Sequence, residues 1–133
     1  ASPWGANIQV GTWSMRGPAR DRATREITLR NNRALNPMGA AVTLTSVEQV
    51  TLEGLAIAQD PKVVPPREAP LIRIENADDV VVSGVRATAP RPEVTALVET
   101  TGDCGGVFSV SDLHATLPPG APLWRDERAA RRP

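Results

Sequence analysis

The sequence predicts an all-β fold built as a solenoid, a stack of coils made of short strands. Three observations predict it. Apolar and polar residues alternate along most of the chain, and no apolar stripe at helical spacing persists over a dozen residues. Four segments align without gaps and carry a turn former at the same place. Aromatics are only 3% of the residues, with no Tyr and one Phe, so the core has to come from Val, Ile, Leu and Ala. The β-branched members of that set fit a pleated, half-buried surface.

The four segments are "ITLRNNRA" from Ile27, "VTLEGLAI" from Val50, "VVVSGVRA" from Val80 and "FSVSDLHA" from Phe108. Their first and third places are apolar: Ile27/Leu29, Val50/Leu52, Val80/Val82 and Phe108/Val110. Their fifth places are Asn31, Gly54, Gly84 and Asp112. Gly accepts positive φ because it lacks Cβ, and Asn and Asp accept it through local hydrogen bonds. Each copy therefore predicts a sharp bend at that column, and "ITLRNNRAL" reads as strand, corner and strand again. The copies start 23, 30 and 28 residues apart, a period made of strands and bends, as in solenoids whose coils stack to bury a continuous core.

A second strand lies inside each period: "AAVTLT" from Ala40, "PLIRIE" from Pro70 and "VTALVET" from Val94. Short polar turns follow them ("SVEQ", "NADD", "TGDCGG") before the next copy begins. Proline-rich insertions, "AQDPKVVPPREAP" from Ala58 and "TAPRPE" from Thr88, predict surface loops, because Pro cannot donate into a ladder. "NIQVGTW", from Asn7 to Trp13, predicts the matching strand of a preceding coil, with Ile8 and Val10 inward. One ambiguity of register concerns Glu99. Setting Val94, Ala96 and Val98 inward keeps its carboxylate out of the core, and that register is preferred because an unpaired buried charge is costly.

The chain accordingly divides into a leading strand and loop over 1–26, coils over 27–117 and a C-terminal tail over 118–133, "PPGAPLWRDERAARRP" closing the repeats. Three to four coils is close to the minimum for a stable solenoid, so the expected context is the C-terminal part of a longer one. Leucine-rich repeats have a fixed short period and a helical side that are absent here. An antiparallel sandwich is the stronger rival, since short strands separated by turn signals also fit it.

Composition excludes several classes of function. Fifteen basic and fifteen acidic residues cancel, which offers no broad attraction to nucleic acid or anionic lipid. One cysteine, Cys104, excludes an internal disulfide, and one histidine, His114, excludes a multi-imidazole metal site within the chain. No metal and no cofactor is expected. No run approaches the ~18 apolar residues of a membrane span. The start lacks a basic n-region and an apolar h-region, which leaves secretion open.

Polysaccharide hydrolysis needs two carboxylates flanking the scissile bond. Asp78-Asp79 sits in a turn, where Asx residues fold the chain for structural reasons. Glu53 occupies the outward fourth place of its repeat, in column with Arg30, Ser83 and Ser111, and Glu75 lies beside Arg73 on a second strand. Outward residues on stacked strands make a flat polar wall, and these two acids are its candidate catalytic pair. Isolated charges on exposed strands are more often solubilising. Asp112 and His114 form an i, i+2 pair next to Ser111, a spacing that rarely gives triad geometry. "GDCGG" lacks phosphate-loop spacing, and Cys104 within it reads as a small turn residue. Trp4, Trp13 and Trp124 could stack on sugar rings, although their place near the chain ends also suits covering coil edges.

"TLTSVEQVTLEG" and "IRIENADDVVVSG" resemble the coils of right-handed parallel β-helix proteins, the pectin-lyase-like group, and the likeness extends over Ile27 to Ala115. "RNNRALNP" is similar in texture to the Asn-rich coils of the α-1,3-galactosidase type of glycoside hydrolase. The resemblance implies an all-β, right-handed parallel β-helix that is carbohydrate-active. It implies part of a glycoside hydrolase or polysaccharide lyase, secreted or at a bacterial cell surface. Glu53 and Glu75 would then be catalytic candidates, or the acids would lie outside this chain, with Arg30, Arg73 and Trp13 contacting the sugar. Expected partners are a carbohydrate and either the rest of a larger β-helix chain or further copies of this one. The alternative is a non-catalytic β-helix for sugar binding or structure. A small β-sandwich adhesion domain is a third class.

Overall fold

A computed structural model describes residues 8–11, 13–14, 17–18, 24–35, 40–58, 68–88 and 93–128, with backbone alone for 8–25, 35 and 128. The protein is all-β, and no helix occurs among the described residues. In chain order the strands are β1 (Ile8–Gly11), β2 (Trp13–Ser14), β3 (Gly17–Pro18), β4 (Thr24–Arg30), β5 (Arg33–Leu35), β6 (Val42–Glu53) and β7 (Ala56–Ala58). They continue as β8 (Ile72–Ser83), β9 (Val85–Thr88), β10 (Val98–Gly102), β11 (Gly105–Val110), β12 (Leu113–Thr116) and β13 (Trp124–Arg128).

Pairing is parallel in the two larger sheets. One runs β1-β6-β8-β10-β13, with β4 beside β6 and β11 beside β8; the other runs β12-β9-β7-β5. The long strands β6 and β8 each have two arms. The first arm of β6 pairs with β1, and Val42, Leu44 and Thr45 face Ile72, Ile74 and Glu75 of β8. The second arm pairs with β4, through Ile27–Val50 and Leu29–Leu52, and continues to Val80 and Val82. The ungapped alignment of repeats is thus the physical register. Only β2 and β3 form an antiparallel pair among the described residues, so an antiparallel sandwich is not the architecture.

Each repeat turns at residues held at positive φ. The column read from sequence is one set: Asn31 (53°), Gly54 (72°), Gly84 (66°) and Asp112 (51°). The chain bends between the arms as well, at Ser46 and Gln49, at Asn76 and Asp79, and at Gly102 and Gly106. The corners are tied from one repeat to the next. Asp103 N–H donates to Asn76 Oδ1, Gly105 N–H to Asp78 Oδ1 and Val107 N–H to Asp79 Oδ1, each at 2.9 Å. Asp78-Asp79 is therefore a structural clamp, in keeping with its turn reading. At the Asn31 column, Asn31 N–H donates to Glu53 O at 2.9 Å, and a Cβ on Gly54 would stand 2.6 Å from Asn31 Oδ1. A side chain at Gly54 would have to displace that amide and hold a φ of 72°, which glycine adopts without strain.

Both sheets send their inward residues into one cluster that includes Leu44, Leu52, Leu55, Leu71, Ile74 and Leu97, all at 0% exposure. Full burial of each such side chain is worth roughly 1.5–3 kcal/mol. Val94, Ala96 and Val98 are buried while Glu99 stays outside, as the charge argument requires. Cys104 is buried in its corner: Ala77 N–H donates to Sγ at 3.4 Å, and Sγ donates to Thr101 O at 3.4 Å.

The repeats extend beyond residue 117. β13, within the segment read as a tail, pairs in parallel with β10 and sets Trp124 beside Val98. Trp124 stacks on Phe108, with ring centroids 6.3 Å apart and planes 8° from parallel. It covers the last described repeat, as its place near the chain end suggested. Of the other tryptophans, Trp4 lies outside the described residues, and Trp13 is described by its backbone in β2.

Candidate functional site

The acids singled out from sequence stand on different arms. Glu53 closes the second arm of β6, between Arg30 and Ser83 in register. Glu75 closes the first arm of β8, between Thr45 and Thr101. The partner of Glu53 on β8, Ser83, lies eight residues beyond Glu75, with the Asn76–Asp79 corner between them. Both arms turn their inner faces to the same core. Glycosidases hold their two carboxylates about 5–9.5 Å apart across the scissile bond; here Glu53 and Glu75 are neither register partners nor on the same arm. Glu53 is engaged with its neighbour: Arg30 Nε lies 3.9 Å from Glu53 Oε2, both side chains more than half exposed.

Arg73 lies on the first arm in a column of alternating charge, with Glu99 beside it and Arg125 beside Glu99. Cross-strand opposite charges of this kind support a sheet. Arg125 also donates from Nη2 to Thr95 O at 3.3 Å. Arg30, Arg73 and Trp13 fall on three separate strands, β4, β8 and β2.

Among the described residues, a concave feature lies elsewhere, on the four-stranded sheet. A shallow groove of about 440 Å³ is lined by Ala56, Ile57, Arg86, Ala87, Thr88, His114, Ala115 and Thr116. Parallel pairing builds it in rungs. Ala56, Arg86 and His114 are register partners across β7, β9 and β12, and Ala58, Thr88 and Thr116 form the next outward rung. Ile57 and Ala87 point inward and are buried, whereas Arg86, Thr88, His114 and Thr116 are exposed. Ala56 makes the hollow, because a methyl group stands where its neighbours carry long side chains.

His114 is fixed at one edge of the groove. Its Nε2 lies 2.7 Å from Asp112 Oδ1, in a hydrogen bond between two exposed side chains. Asp112 belongs to the corner column, so the turn that ends one strand orients the imidazole on the next. No serine or cysteine lines the groove with them, and the pair lacks a nucleophile there. Among the described residues, no group of three or more His, Cys, Asp or Glu side chains could hold a metal ion. Among the same residues, no helix is long and apolar enough to cross a membrane.

Sequence reasoning singled out the Asp112–His114 pair but not Arg86. The signal for Arg86 is in the repeats: "VRAT" and "LHAT" align, placing Arg86 with His114 and Thr88 with Thr116. No family model, curated protein or solved structure matches the chain.

Proposed function

We propose that the chain is a run of right-handed parallel β-helix coils, part of a larger carbohydrate-active protein, and that it holds a polysaccharide in the groove of the four-stranded sheet. The parallel register of successive repeats and their shared core support the coil. Crossovers between parallel strands are right-handed in about 98% of cases, which supports the hand. The observation that carries the function is the groove itself. Its volume falls within the roughly 300–1,000 Å³ of small-ligand sites. It combines an alanine floor, suited to the apolar face of a sugar ring, with hydroxyl and charged side chains at successive rungs. A chain-like ligand suits a surface that repeats from strand to strand. Such a ligand would be met outside the cell or at its surface.

Holding is favoured over cleaving, because Glu53 and Glu75 stand on different arms of different strands and Glu53 is ion-paired with Arg30. A hydrolase or lyase built on this chain draws its acids from elsewhere. The test is a panel of oligosaccharides titrated against the protein and against Thr116→Trp, which fills the groove from an exposed position. Saturable binding to at least one glycan, lost in the variant, is the expected result. No binding to any glycan, or undiminished binding by Thr116→Trp, overturns the reading. In parallel, Glu53→Gln and Glu75→Gln leave any sugar release unchanged; loss of activity in either restores that residue as catalytic.

A further inference from the structure

The groove is asymmetric in charge. Its lining holds Arg86 and His114 and no carboxylate. The two are direct register partners on adjacent parallel strands, which lie about 4.8 Å apart. Both side chains are exposed on the same outward face. Among the described residues no carboxylate is in ion-pair range of Arg86, whereas Arg30 on the neighbouring arm has Glu53. The guanidinium presents a planar fork of donors that matches an oxyanion in bidentate fashion. With Asp112 accepting at Nε2, Nδ1 is the His114 nitrogen left for a ligand, and it donates only in the imidazolium form. Arg86 thus carries the larger share of any anion contact. One rung on, the paired hydroxyls of Thr88 and Thr116 can donate or accept, as sugar hydroxyls require.

We infer that the groove selects an acidic sugar unit, bearing a carboxylate or a sulfate ester, and that Arg86 with His114 grips its oxyanion. The inference rests on the polysaccharide reading and adds a choice of substrate class to it. Three sets of oligosaccharides of equal length test it: one carrying uronate carboxylates, one sulfated and one neutral. Each is titrated by calorimetry against the intact protein, Arg86→Gln and His114→Gln. The expected result is tighter binding of a charged set than of the neutral set. The ratio of charged-set to neutral-set affinity falls at least roughly tenfold in Arg86→Gln, and less in His114→Gln. Which charged set binds better identifies the oxyanion. Equal affinity for charged and neutral sets, or an acidic preference that survives Arg86→Gln, overturns the inference and leaves polysaccharide binding standing. Failure of every set to bind overturns both.

Discussion

The inter-repeat clamp at Asn76 gives a prediction that can be worked through numerically. Gly102 sits above it at φ 76°, and an added methyl group would press on Asn76 Oδ1, with Asn76 Cγ at 3.2 Å and its backbone nitrogen at 3.4 Å. Two costs follow for Gly102→Ala. A side chain in the left-handed region costs roughly 1–2 kcal/mol. Displacing the Asn76 amide breaks the 2.9 Å hydrogen bond from Asp103 N–H. That site is exposed, so water can substitute and the net loss is about 0.5–1.5 kcal/mol. The total is about 1.5–3.5 kcal/mol, or a Tm lowered by roughly 5–12 °C for a chain of this size. Asn76→Gly removes the amide and tolerates the local φ of 52°. In that background Gly102→Ala loses only the conformational part, so a double-mutant cycle returns a coupling of about 0.5–1.5 kcal/mol. Urea unfolding followed by far-UV dichroism measures all four chains. A Gly102→Ala cost that is the same in both backgrounds, or below about 0.5 kcal/mol in the parent, refutes the clamp.

Leu44→Ala removes a fully buried side chain from the first arm of β6 and should cost about 2–5 kcal/mol, read as a shift in the urea midpoint with unchanged slope. A Thr51→Cys/Val81→Cys pair, made with Cys104→Ala, should form a disulfide under mild oxidation, because register partners on neighbouring strands lie within bridging range. Thr51→Cys/Ser83→Cys, offset by two residues, should cross-link much more slowly, and equal rates would contradict the register. Thr100→Val removes a buried hydroxyl that donates to Asp126 Oδ1 at 3.1 Å and accepts from Trp124 Nε1 at 3.2 Å. It should destabilise by about 1–3 kcal/mol and shift tryptophan emission, since the indole loses its acceptor.

The repeat was legible because its determinants are local. Alternation assigns the faces of β6 and β8, and a residue tolerant of positive φ marks the corner after each. Asn31 is the clearest case, since polarity alone would have made "NN" a candidate site and its column makes it a turn. The electrostatic argument placed Glu99 outside the core, and its register partner Arg73 gives it a neighbour of opposite charge. β13 was not legible because its inward column changes character. Trp124 continues the column of Val98 and Ile72, but Asp126 follows where Thr100 and Ile74 stand, and its carboxylate meets the Thr100 hydroxyl instead of apolar neighbours. The alternation that reveals β6 is broken there. The groove was not legible for a different reason. It depends on a methyl group at Ala56 lying beside Arg86, thirty residues later in the chain, and only the stacking of β7 on β9 brings them together.

The positive-φ corners also define which part of each repeat can change length. Glu26 to Asn31, Gln49 to Gly54 and Asp79 to Gly84 are each five residues, and the last repeat, from Gly106 to Asp112, has six with a bulge. The return from one repeat to the next is 15 residues from Asn31 to Ser46, 22 from Gly54 to Asn76 and 18 from Gly84 to Gly102. Most of the irregularity in the period is therefore confined to one flank, the one the chain enters on leaving β5, β7 and β9. Insertions and deletions on that flank leave the register of both sheets intact. For an engineer, those three exits are natural points for grafting new loops, since they open from the sheet that carries the groove and leave the corners untouched.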